Sequence, residues 1–141
     1  CTCGRDGCLE AYASATGLIM DAKAAALENP DSLLNKLVGQ DINRMNAKIP
    51  FDAAQQGDGV AQKIIDQYIG YLATGITNLI NIFKPEMIVL GGGVAKQEEN
   101  LTRPLIEKVK KEVYAGDLQT KIEIAILGND AGIIGAAMLG K

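Results

Sequence analysis

A chain of 141 residues with a formal net charge of −3 and nearly half its residues apolar is long enough to bury the core of one domain. No stretch concentrates Lys or Arg strongly, so the electrostatic footprint of a nucleic-acid binder is missing. No apolar run approaches the roughly 20 residues that span a bilayer, and nothing resembles a signal peptide.

The chain opens on three closely spaced cysteines, Cys1-Thr2-Cys3-Gly4-Arg5-Asp6-Gly7-Cys8. An odd number at this spacing argues against a disulfide framework and for a reducing compartment, with the cytoplasm as the expectation. The run has no initiating Met before it, and the chain reads as the later part of something longer.

Two consecutive helices are expected next, Leu9 to Ala15 and Thr16 to Leu27, with Thr16 as the cap of the second. Asn29-Pro30-Asp31 ends them. Ser32 to Ala47 is polar and mixed, a short helix with loops. A brief helix follows near Pro50 to Gln56, with Pro50 acceptable in a first turn. Gly57-Asp58-Gly59 breaks the chain, and Asp58 caps a long helix to about Phe83. Ile64, Ile65, Tyr68, Ile69, Leu72, Ile76, Leu79, Ile80 and Phe83 recur there at helical spacing. Gly70 and Gly75 inside it read as places where another helix comes close.

Met87 to Leu90 is wholly apolar, the pattern of a strand buried on both faces. A glycine turn, a helix from about Glu99 to Tyr114, a strand from Ile122 to Leu127 and a last helix from Ala131 to Leu139 follow. The Lys108 to Lys111 run, flanked by Glu107 and Glu112, reads as a solvated helix face. Strand, helix, strand is a right-handed crossover unit with two parallel strands. Two strands are too few for a stable sheet, so further strands are expected before position 1. The fold class is α/β, helix-rich with a short parallel sheet.

Three groups of residues carry possible chemistry. Cys1, Cys3 and Cys8 offer soft ligands to zinc, which prefers four; without a metal they are simply free thiols. Gly91-Gly92-Gly93-Val94 lies at the carboxyl end of a strand, where parallel sheets bind ligands. It matches neither a Walker loop nor the dinucleotide fingerprint, and a tight structural turn is the simpler reading. Gly128, Asp130 and Gly132 form a second such turn. Glu10 either sits at a helix start for its dipole or accepts hydrogen bonds from a polyhydroxylated ligand. Composition does not choose between these.

Cys1-x-Cys3-Gly4-x-x-Gly7-Cys8-Leu9-Glu10 with Ser14 resembles the second half of the signature of the ROK family (repressors, open reading frames and sugar kinases). Ala13-Ser14-Ala15-Thr16-Gly17 looks most like its bacterial glucokinases. The likeness continues through Asn78-Leu79-Ile80-Asn81, Pro85 to Val94 and Asn129 to Ala137. It implies part of an actin-like ATPase fold with ribonuclease-H-like cores, residues 1–141 being the C-terminal portion. ATP with Mg²⁺ would transfer a phosphoryl group to a hexose hydroxyl. By the same resemblance Cys1, Cys3 and Cys8 are three zinc ligands, with a His before position 1 as the fourth. Glu10 is a sugar-binding carboxylate, and Gly91, Gly92 and Gly93 lie against the adenosine. The family's phosphate-binding glycines, catalytic Asp base and further sugar-contacting Glu and His would also precede position 1, so no catalytic residue is expected in this chain. Hexose and ATP are the implied partners, in a homo-oligomer with no membrane and no nucleic acid bound by this segment. The alternative is the effector domain of a sugar-sensing repressor of the same family.

Overall fold

Residues 1–127 and 130–139 are described by the computed structural model. After the cysteine loop come α1 (Leu9–Ala13) and α2 (Ala15–Glu28). The cap of α2 is Ser14, whose Oγ accepts from the Gly17 amide at 3.1 Å. Thr16 therefore does not cap; it lies one residue inside the helix. The polar segment holds α3 (Leu33–Leu37) and a 3₁₀ turn, Ile42–Arg44, as expected of a short helix with loops. Next is α4 (Ile49–Gln55), with Pro50 in its first turn, where the missing N–H is no loss.

The 25-residue α5 (Gly59–Phe83) follows. Asp58 starts it: Oδ1 accepts from the Ala61 amide at 2.8 Å. The other oxygen accepts from the Leu33 amide at 2.6 Å and the Ser32 hydroxyl at 2.9 Å. One carboxylate thus begins α5 and ties α3 to it. The helix ends at Lys84, which adopts the left-handed conformation at φ 45°, before Pro85.

Strand β1 (Met87–Leu90) pairs in parallel with β2 (Lys121–Ile124), Ile88 opposite Ile122 and Leu90 opposite Ile124. Between them lie a 3₁₀ turn, Val94–Gln97, and α6 (Glu99–Glu112). The expected strand–helix–strand unit with parallel strands is present. Helix α7 (Ala131–Met138) comes last. Strand β2 stops at Ile124 rather than Leu127: the Ala125 amide donates to the Leu90 carbonyl at 2.8 Å, beyond which β1 has no further residue to pair, and Ile126 is almost fully exposed.

The core is aliphatic and helical. Leu18, Leu34, Val38, Phe51, Ile69, Ala73, Leu101, Leu105 and Val109 are buried where α2 to α6 meet. Val109 lies within the basic run and is buried, while Lys110 and Lys111, which follow it, face solvent. Strand β1 is not buried on both faces. Ile88 and Leu90 pack on the helical core, whereas Met87 and Val89 on the alternate face are 49% and 54% exposed. Among the described residues, helices cover one side of the sheet only.

Helix α1 has no buried residue. Its place is set by close approach to its neighbours. A Cβ on Gly17 would sit 2.5 Å from the Ala11 carbonyl oxygen and 3.2 Å from its carbon, so α2 can come this near α1 only through a glycine. A Cβ on Gly75 would lie 2.7 Å from Leu9 Cδ2. Gly75 thus admits another helix, as expected, whereas Gly70 faces open space.

These contrasts predict opposite outcomes for one chemical change. Gly17→Ala meets fixed backbone and should destabilise by about 1–3 kcal/mol despite its better helix propensity. Gly70→Ala should stabilise by about 0.5–1 kcal/mol. Urea unfolding of the two variants checks this; a stabilised Gly17→Ala protein would contradict the packing.

Asp58 supplies a second prediction. Desolvation disfavours its charge, but the hydrogen bonds from Ala61, Leu33, Ser32 and Val60 outweigh it and hold the carboxyl below its ordinary range. A folded value below the unfolded one gives stability that is complete above the unfolded value of about 4 and lost as pH falls through the folded value. Unfolding followed from about pH 7 to about pH 2 should show a shallower acid loss in Asp58→Asn than in the native protein. Equal slopes would mean that another carboxylate governs.

Candidate functional site

The cysteine loop reverses tightly because Gly4 and Gly7 take φ of 74° and 75°, a region where a side chain is strained. The turn is closed by the Gly4 amide donating to the Cys1 carbonyl at 3.3 Å. It brings the sulfurs together: Cys1 Sγ to Cys3 Sγ is 3.0 Å and Cys3 Sγ to Cys8 Sγ is 3.3 Å. All three lie within 4.8 Å of one another. Covalent S–S bonds are near 2.0 Å, so these are three free sulfurs. A Zn–S bond of ~2.3 Å sets tetrahedral S···S edges of roughly 3.8 Å; a spread of under about an ångström would seat the ion. The donor set therefore fits zinc, three soft ligands on an exposed loop, and the chain has no His to complete it. Sharing a proton with the Cys3 sulfur, aided by desolvation, holds the Cys8 thiol above its ordinary range. Metal would release that proton, because the ligand is the thiolate.

Cys8 is extended, φ −67° and ψ 133°, and begins α1 directly; its carbonyl accepts from the Ala11 amide at 2.9 Å. Glu10 is thus the second residue of a helix that grows out of the sulfur loop. Its neighbours Leu9 and Tyr12, three apart and on one face, meet α5. Leu9 enters the notch at Gly75. The Tyr12 and Tyr71 rings meet edge to face, centroids 5.1 Å apart. Glu10 stays exposed, its carboxylate free to meet a ligand. Neither Gly17 nor the Tyr12–Tyr71 pair is legible in the sequence as a support for this helix, since each depends on a residue from another element.

The glycine triplet belongs to another part of the architecture, at the carboxyl end of β1. Gly92 has φ 87°, so the turn requires a glycine there. All three glycines are exposed, while Val94 and Ala95 anchor the loop in the interior. A Cβ on Gly91 would lie 3.9 Å from that of Ala125, which places the loop beside the segment leaving β2. Of the second turn, Asp130 and Gly132 begin α7; Gly128 falls outside the described residues. A cavity of about 650 Å³ opens at the opposite end of the strands, lined by Lys84, Met87, Tyr114, Thr120 and Lys121 among others. None of the expected site residues lines it, and it is not the candidate site.

Comparison with known proteins places this geometry. The glucokinase of Thermotoga maritima is 39% identical over 100% of this chain and 44% of its own length. A crystal structure of a ROK family glucokinase from Streptomyces griseus, in complex with glucose and AMPPNP, superposes with a TM-score of 0.86 at 30% identity. It matches 99% of this chain and 46% of that one. A ROK family transcriptional regulator, a homolog of the E. coli MLC protein, superposes at 0.68 with 27% identity, over 88% of this chain and 30% of its own. The chain spans less than half the length of these relatives. Its fold is that of part of the ROK glucokinases, which are actin-like ATPases. The family model for ROK matches residues 1–141, from the cysteine loop to the last helix, and the chain belongs to the ROK family.

Proposed function

We propose that this chain is the C-terminal portion of an ATP-dependent hexose kinase of the glucokinase type. The observation that carries the reading is the likeness of almost the whole chain to a glucokinase crystallised with glucose and AMPPNP. The site's chemistry supports it. A sulfur loop that fits zinc grows directly into the helix bearing Glu10, and an ionised carboxylate accepts hydrogen bonds from adjacent sugar hydroxyls. Exposed glycines at a strand end let a nucleotide lie against backbone.

In this reading Cys1, Cys3 and Cys8 hold a structural zinc that staples the loop, with a His from outside this chain as the fourth ligand. Glu10 binds and orients the hexose. Gly91, Gly92 and Gly93 accommodate the adenosine. ATP with Mg²⁺ supplies the phosphoryl group, and catalysis of such a transfer is mostly positioning and charge stabilisation. The base that takes the hydroxyl proton is an Asp outside residues 1–141. The complete protein acts as a cytoplasmic homo-oligomer. A repressor reading draws on the likeness to the transcriptional regulator, but identity and superposition are both weaker there than with the glucokinases.

The test uses the complete protein in a coupled assay with glucose and ATP, alongside elemental analysis. Turnover on the order of 10 per second and one zinc per chain are expected. Cys3→Ser should lose most of the zinc, because a structural site needs its full ligand set. Residues 1–141 alone should stay at background. A complete protein that turns over no hexose but binds a DNA operator would establish the repressor instead.

A further inference from the structure

Helix α1 is five residues long and has none of them buried. Nothing intrinsic fixes it, since isolated helices this short do not persist in water. Yet it bears Glu10. Its footing on α5 includes two side-chain contacts: Leu9 in the notch at Gly75, and the ring of Tyr12 against that of Tyr71. Residues 71 and 75 are one turn apart on α5, and residues 9 and 12 one turn apart on α1. Two adjacent positions on each helix therefore set both the height and the rotation of α1.

The Gly75 notch has an unusual property. The atoms a Cβ would strike are Leu9 Cδ2 at 2.7 Å, Cδ1 at 2.8 Å and Cγ at 3.4 Å, with no backbone among them. Leu9 is also 48% exposed. A methyl group at position 75 can thus be relieved by moving Leu9 outward, and α1 with it, without unfolding the core. Gly75→Ala also removes a helix-interior glycine, which favours α5. Stability and the placement of Glu10 should therefore respond in opposite directions.

We propose that Gly75 is a positioning residue for the hexose: its missing side chain seats Leu9 and so sets the height of Glu10 over the sugar. This rests on the reading of Glu10 as a sugar contact, and the experiment separates the two. In the complete protein, Glu10→Gln tests that reading and should raise the hexose KM by tenfold or more, at roughly the scale of a displaced substrate contact. Gly75→Ala tests the proposal. It should raise the hexose KM roughly tenfold, leave the ATP KM within about twofold, and leave the thermal midpoint equal or higher. Adding Leu9→Ala to Gly75→Ala lets the new methyl group occupy the space that the Leu9 side chain leaves, so that α1 settles back against α5, and should recover most of the lost hexose affinity. If Glu10→Gln leaves the hexose KM unchanged, the sugar-contact reading fails and the positioning claim with it. If Glu10→Gln raises it while Gly75→Ala does not, the positioning claim alone fails. Equal losses for hexose and ATP, or a lowered midpoint without rescue by Leu9→Ala, would show Gly75 to be merely structural and would also overturn it.

Discussion

The close approach of α1 to its two neighbours is the constraint on which the candidate sugar site depends. A short helix with every residue at least partly exposed contributes little apolar burial of its own. It is held because α2 offers a glycine to its backbone at Gly17 and α5 offers one to Leu9 at Gly75. Each glycine gives up local helix propensity so that another element can come within van der Waals contact. Glu10 inherits its position from these two absences of a side chain.

Helix α5 is in turn the platform for everything else. It packs against α1, α2, α4 and α6, and its buried residues, from Ala61 to Ile80, form the central stripe of the core. Its start is decided by Asp58, which also gathers Ser32 and Leu33. One ionised side chain thereby coordinates two helix starts. Thr77 is a minor imperfection in this stripe: its hydroxyl is buried with no partner among the described residues. The far end of α5 leads through Lys84 and Pro85 into β1 and so to the glycine triplet. The sulfur loop thus reaches α5 through α1, and the glycine loop follows from the end of the same helix through β1.

Much of this was legible in the sequence because it is local. The helical spacing from Ile64 to Phe83, the Asp58 cap and the apolar strand that ends at the glycine triplet need no knowledge of what lies opposite. The clustering of Cys1, Cys3 and Cys8 follows from Gly4 and Gly7 in a loop of eight residues. What sequence could not give depends on partners distant along the chain. Gly70 and Gly75 look alike as letters, yet one faces space and the other receives Leu9. Ser14 and Thr16 are both cap-forming types, and the choice fell to where α1 had to end. Met87 to Leu90 reads as buried on both faces, but an apolar residue reports what it could bury and not whether a cover is at hand.

In the proposed site the sulfur loop and the Gly75 notch together present Glu10 to a hexose. A crystal structure of the complete protein with hexose bound addresses it most directly. A Glu10 carboxylate oxygen is expected within about 2.6–3.2 Å of a sugar hydroxyl, with Leu9 still seated against Gly75. A bound hexose with Glu10 turned away to solvent, or with Leu9 displaced from the notch, would contradict it.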